Sequence, residues 1–308
     1  MDHDRTTDAP DLTGKISLVT GANRGIGLAT SIALARAGAH VGLVARDRDR
    51  AEAAAEQVRR AAGSDRVEYF LCDLSSQSSI RTLAQQVRER HDRLDVLVNN
   101  AATVSEARQT TVDGRELTFA VNHLAYFLLT RLVLDRVQAA DDGVIVNVAA
   151  TNHRDAVDHL DVDSVNGYEM RAAYMRSKWA NVSFTMELAR RLGPSPRVHA
   201  FCPDVNATEL LMQFRRVPLA EWADRLAREA SPEGAARVAM SLIASPGTGR
   251  YLEEETDIPP SVLATDPDLA QRLWVLCSQL TGLPSDRSIV FMSGPLRGGA
   301  GGSAGPAG

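Results

Sequence analysis

The chain has 308 residues, a formal net charge of -5, 44% hydrophobic and 24% charged residues. That length buries a sizeable core, in one large α/β domain or two small ones, and no basic block or aromatic–basic interleaving points to nucleic acid. The three cysteines, Cys72, Cys202 and Cys277, lie far apart in apolar segments. This argues against a disulfide framework or a zinc site and for a reducing cytoplasm.

Residues 1–11 are polar, lack an apolar signal region, and read as a flexible segment. Short runs rich in Val, Ile and Leu then alternate with longer helical patterns. The predicted strands are Ile16–Thr20, His40–Ala45, Val67–Leu71, Val96–Asn99, Val144–Val148, Val198–Cys202 and Gly249–Leu252. The predicted helices cover Gly25–Ala37, Asp49–Ala62, Ser76–His91, Gly114–Gln138, Glu169–Leu192, Pro232–Ala244 and Asp266–Gly282. No run approaches the roughly 18 apolar residues of a membrane span. The Gly/Ala/Pro-rich stretch 286–308 reads as a disordered tail, and no internal repeat is found. Apolar strands alternating with helices predict a single doubly wound Rossmann-type α/β domain over 12–285. It has about seven parallel strands and helices on both faces, with function at the carboxyl ends of the strands.

"TGANRGIG" follows the first strand and opens a helix. Gly21, Gly25 and Gly27 let the backbone turn and approach a pyrophosphate, and the helix N-terminus offers N–H groups. The second strand ends "VARDRDR", with Ala45 where an acid would bind the ribose of NAD. Arg46 and Arg24 favour the 2′-phosphate of NADP(H), with Asp47 a potential partner for Arg46.

"AAYMRSKWAN" sets Tyr174 and Lys178 four apart on one helix face. An ammonium beside a phenol lowers its pKa, which gives an acid/base near neutral pH. Histidines 153 and 159 lie nearby without ligand spacing, so no metal is expected.

Together these motifs resemble the short-chain dehydrogenase/reductase family, within it the retinol-dehydrogenase-like branch, over residues 12 to 285. "CDLSS" is similar to the segment in which Asp73, with Leu74, contacts the adenine. "NNAA" resembles the family's Asn-Asn-Ala-Gly, with Ala102 for the glycine. "VNHLAYFLLT" matches the branch's Asn-His-Leu-Gly segment, "YMRSK" the catalytic pair, and "LAQRLWVLCSQLTGLP" its C-terminal helix. The resemblance implies Asn122, Tyr174 and Lys178 as catalytic residues. It implies cofactor contacts at Gly21, Asn23, Arg24, Gly25, Ile26, Gly27, Arg46, Asp73, Leu74, Asn99, Ala101, Lys178, Pro203 and Thr208. The family's Pro-Gly after the sixth strand reads Pro203-Asp204 here.

The larger departure is at the fifth strand. The family's Asn-Val-Ser-Ser reads Asn147, Val148, Ala149, Ala150, so Ala150 stands where the substrate-binding serine is expected. Losing such a donor costs roughly 2.7–4 kcal/mol. Thr151, Asn152 or His153 could substitute, or a reactive substrate could need only Tyr174. Alternatively the fold serves a non-redox isomerase, cyclase or lyase, or an NADP(H)-binding regulatory protein. Residues 155–170 and 206–226 are expected to shape the substrate pocket. The second, with Leu210, Leu211, Met212, Phe214, Trp222, Arg215 and Arg216, reads equally as a lid over an apolar substrate or as a packed amphipathic helix. The branch's membrane-bound members carry an N-terminal anchor not read here, which favours a bulky lipophilic carbonyl or alcohol over retinoid. The Leu/Phe density of "ELTFAVNHLAYFLLTRLVL" permits a homo-oligomer helix interface and fits burial within one subunit equally well.

Overall fold

A computed structural model describes residues 10–203, 231–253 and 255–285. One sheet runs in the order β3-β2-β1-β4-β5-β6-β7-β8. The strands are β1 Ile16–Thr20, β2 His40–Ala45, β3 Val67–Leu71, β4 Val96–Asn99, β5 Val144–Val148, β6 Arg197–Cys202, β7 Arg250–Glu253 and β8 Thr256–Asp257. All neighbours pair in parallel except β7 and β8. The sequence pattern gives seven strands. The short antiparallel β8 has both residues exposed and so carries no apolar signal.

The helices are α1 Gly25–Arg36, α2 Arg48–Ala62, α3 Gln77–Arg90, α4 Leu117–Phe119, α5 Ala125–Gln138, α6 Met170–Leu192, α7 Pro232–Ala244, α8 Val262–Thr265 and α9 Pro267–Thr281. Side chains of α1, α2 and α7 meet one face of the sheet, and those of α3, α5, α6 and α9 the other. Because helices cover both faces of the parallel sheet, the central strands are buried on both sides. Val144–Val148 is buried at every position.

One predicted helix boundary moves by three residues. The Gly114–Gln138 helix begins only at Leu117, because Glu116 caps it by accepting from Thr118 N and Phe119 N at 2.7 and 2.8 Å. It then passes through a π-turn, Ala120–Leu124, before α5. The stretch Leu117–Gln138 is long and apolar enough to cross a membrane, which the residue count along the sequence did not suggest. Most of it is buried within the fold, as a core helix would be.

The strand order reverses between β1 and β4, and this opens a crevice at their carboxyl ends. Both the glycine loop and the segment after β4 leave the sheet there.

Candidate active site

The floor of the crevice is a glycine loop held by β4. Gly21 has φ +64°, and a Cβ there would lie 2.8 Å from Ala101 Cα. A Cβ on Gly27 would lie 2.4 Å from Gly21 O and 2.5 Å from Asn100 Nδ2. Only glycine permits this approach of loop and helix. Thr20 Oγ1 accepts from Asn100 N at 2.9 Å and from Ala101 N at 3.1 Å, and Asn100 Nδ2 donates to Thr20 O at 2.8 Å. No side chain caps the first turn of α1. A tightly folded backbone with helix N–H groups at its lip is the cradle that a pyrophosphate requires. These residues fit a dinucleotide.

Beside the loop stands a group of arginines. Arg24 precedes α1, and both partial burial and the nearby Arg50 pull its pKa below the usual value. Arg46 is exposed just past β2. Asp47 does not form an ion pair with Arg46 among the described residues. It caps α2, its Oδ1 accepting from Arg50 N at 2.9 Å.

The opposite wall comes from α6. Lys178, almost fully buried, donates from Nζ to Val148 O at 3.1 Å, and Nζ lies 5.6 Å from the centre of the Tyr174 ring. The expected lowering of the phenol pKa is not found. Burial pushes Tyr174 up, and the Cys202 thiol nearby pushes the same way. Burial also draws Lys178 down to about 8. The physical reason is that the ammonium donates to a backbone carbonyl, so desolvation governs both groups.

One turn beyond Lys178 on the same face is Asn181, which the sequence reading passed over although its motif ends there. Its Nδ2 donates to Val148 O at 3.1 Å and to Asn122 O at 3.0 Å. Asn122 sits in the π-turn, a distortion that often marks functional positions. Its Oδ1 accepts from Thr103 N at 2.7 Å, and its Nδ2 donates to Thr103 O at 2.9 Å and Ser177 Oγ at 3.1 Å. Since both Asn181 Nδ2 bonds are donated, its Oδ1 receives His123 Nδ1–H at 2.9 Å. Burial lowers the His123 pKa to about 4, so this ring is a neutral brace. Lys178 and Asn181 thus converge on Val148 O at the tip of β5, and Asn181 links them to Asn122.

At that tip the alanines are packing residues: Ala149 is buried and Ala150 lies against the core. Thr151 is exposed at the start of a 3₁₀ turn, Thr151–Asp155, and its N–H donates to Cys202 Sγ at 3.2 Å. His153 is buried and committed elsewhere. Its Nδ1 bonds Ala150 O at 2.9 Å, and its Nε2 accepts from Ser261 N at 3.2 Å. It therefore braces the turn and is not a substitute donor. The ring of His159 packs edge-on against Trp179.

Asn99 departs from expectation. Its side chain is fully buried, donating to Thr130 Oγ1 at 3.0 Å and Asn147 Oδ1 at 2.9 Å, so it ties β4 to β5 and α5 and does not face the crevice. Asp73 holds its own loop, with Oδ1 accepting from Ser75 N and Oγ. Leu74 packs on the core beside it. Asn23 and Ile26 are half-buried in the glycine loop, and Ala101 is buried at the β4 tip. Pro203 ends the described segment after β6; Thr208, Asp204 and the 206–226 segment lie outside the described residues. The 155–170 segment is well tied: Arg176 donates to Asp158 O and Ser164 Oγ, and Asp163 pairs with Arg115.

A doubly wound sheet with a dinucleotide cradle and a Tyr/Lys helix at its switch point defines a nicotinamide-dependent Rossmann oxidoreductase. The model of the short chain dehydrogenase family matches residues 15–218, and the chain belongs to that family, as a retinol-dehydrogenase-like member. It is 36% identical over 286 residues to retinol dehydrogenase 13 of Homo sapiens, covering 88% of this chain and 86% of that protein. Among solved structures, an uncharacterised protein from Mycobacterium paratuberculosis is 31% identical, with a TM-score of 0.73 over 91% of this chain and 97% of the other. The RhlG/NADP active-site complex of Pseudomonas aeruginosa is 29% identical, with a TM-score of 0.64 over 79% and 95%.

Proposed function

We propose that the protein is an NADP(H)-dependent oxidoreductase interconverting a carbonyl and an alcohol on a small lipophilic molecule, with Tyr174 as the acid/base. The observation that carries this reading is the single α6 face on which Tyr174 and Lys178 stand, fastened to the tip of β5 through Val148 O. When bound, the nicotinamide supplies or accepts the hydride. Gly21, Gly25 and Gly27 with the α1 N-terminus would hold its pyrophosphate. Arg24 and Arg46 would meet the 2′-phosphate, a role supported by the absence of any acid at the β2 tip. The NADP bound in RhlG supports the same choice. The retinol dehydrogenases among its relatives support a lipophilic substrate.

Tyr174 gives its proton to the substrate oxygen in reduction and takes it back in oxidation. The phenol is protonated at neutral pH and so has a proton to give in reduction, while burial, by raising its pKa, makes it a weaker acid. Lys178 carries positive charge near the phenolate that forms. With Ala150 at the β5 tip, no hydroxyl stands at the serine position, so either the adjacent Thr151 substitutes or the substrate is reactive or brings its own hydrogen bond. Cys72, Cys202 and Cys277 are buried and form no disulfide with one another, which fits a cytoplasmic setting.

The test is consumption of NADPH with a panel of lipophilic aldehydes and ketones. Wild type should turn over at least one of them, and Tyr174→Phe should lower kcat by about 10²–10⁴ without weakening NADPH binding. Substrate conversion with unchanged NADPH absorbance would mean a non-redox enzyme and would overturn this reading.

A further inference from the structure

At the opposite end of the sheet from the crevice, three side chains from three elements meet at one point. His40 opens β2, Glu68 lies in β3, and His91 caps the C-terminus of α3. In the β2–β3 register Glu68 pairs with Gly42, so His40, two residues earlier, shares its face of the sheet. His40 Nε2 lies 2.9 Å and His91 Nε2 lies 2.6 Å from the same oxygen, Glu68 Oε1. The three potential ligand atoms all lie within 4.8 Å of one another. Arg90 NH1 bonds the other oxygen, Oε2, at 2.8 Å, and the guanidinium is steadied over the Phe70 ring at 4.7 Å.

We propose that His40, Glu68 and His91 form a site for a borderline divalent cation of the Zn²⁺ type. Two imidazole nitrogens and one carboxylate oxygen are a ligand set that zinc accepts, with water completing four-coordination. Here the histidines crowd one oxygen, while the arginine takes the other. That division matches a monodentate metal carboxylate oriented by an outer hydrogen bond. Opening the cluster to ligand–ligand spacings of about 3.3 Å, as tetrahedral bonds of about 2.0–2.2 Å require, needs only small side-chain rotations. In the hydrogen-bonded cluster each Nε2 donates to Oε1. A metal-bound ring would carry its proton on Nδ1 and turn the Nε2 lone pair to the ion.

The position suggests what the ion does. β3 is an edge strand of the sheet, and His91 follows α3, whose Ile80, Leu83 and Ala84 share an apolar cluster with Phe70 of β3. A metal would clamp the edge strand, its neighbour and that helix together. The catalytic crevice lies at the far end of β2, six residues along the strand and roughly 17–20 Å away. The ion would therefore act on stability and leave the chemistry alone.

The experiment uses the full-length protein stripped with chelator and titrated with Zn²⁺ or Co²⁺ alone. One Co²⁺ per chain should bind with visible ligand-field bands and no thiolate charge-transfer band. Saturating Zn²⁺ should raise the thermal midpoint by about 5 °C at a hundredfold excess over Kd. A His40→Gln/His91→Gln variant should lose both effects while still binding NADPH, which reports that it folds. Absence of saturable metal binding in wild type, undiminished stoichiometry in the double variant, or a thiolate band would overturn the proposal. The wild-type titration stands even if the variant does not fold.

Discussion

The tips of β1 and β5 line one crevice yet are built in opposite ways. At β1 the backbone is stitched to β4 by Thr20 and Asn100, and glycines stand where any Cβ would strike the backbone. At β5 the tip ends in two methyl groups, with polar groups gathered behind it on Val148 O from Lys178 and Asn181. The first tip has no room for substitution because it must match a fixed shape, the dinucleotide. The second tolerates Ala149 and Ala150 because its demand is a hydrogen-bond donor, whose loss slows chemistry without disturbing the fold. Cofactor binding and catalysis are thus separable on this scaffold.

The largest expected effect on the β1 side is from Gly27→Ala. The new methyl group would meet Gly21 O and Asn100 Nδ2, and NADPH affinity should fall by up to about 10²-fold, the equivalent of 1–3 kcal/mol of overpacking. Fluorescence titration measures this, and a variant binding NADPH as tightly as wild type would show that the cradle is not the binding site. Arg24→Ala should be milder and selective. Losing one charge-assisted bond of about 1.5–3 kcal/mol weakens NADPH by roughly tenfold or more while leaving NADH binding nearly unchanged. Equal losses for both nucleotides would remove Arg24 from the 2′-phosphate.

A smaller, graded effect belongs to the β5 side and depends on pH. Burial sets Lys178 at about 8, below its ordinary 10.5, so its ammonium is present below that pH and lost as pH rises through it. Reduction should therefore slow above pH 8. Stability should move the other way, because between 8 and 10 the unfolded chain binds the proton that the folded chain has released. Parallel pH profiles of rate and thermal midpoint test this, and rates that climb between pH 8 and 10 would contradict it.

Most of the fold was legible because its strands are short runs rich in Val, Ile and Leu set between helical patterns. Ile16–Thr20, His40–Ala45 and Val144–Val148 stand where the sequence puts them. The π-turn at Asn122 was not legible, since residues 118–130 are buried on nearly every side and show no one-sided pattern for an inserted residue to shift. In the site, Tyr174, Lys178 and the glycines were visible from spacing. Asn181 was visible in principle, seven residues after Tyr174 on the same face. The inward turn of Asn99 was hidden because it depends on Asn147, its partner in the β4–β5 register. His40, Glu68 and His91 were hidden for the same reason, being brought together only by strand pairing and the end of α3.

The separation of binding from catalysis is tested most directly by restoring the hydroxyl. With NADPH saturating and a lipophilic carbonyl as substrate, single-turnover rates of wild type and Ala150→Ser should differ. The serine variant should be faster by about 10²–10³-fold, the worth of one donor aimed at a developing oxyanion, with unchanged NADPH affinity. A serine variant no faster than wild type, or one that loses NADPH binding, would contradict the assignment of Ala150 to the position where a donor is missing.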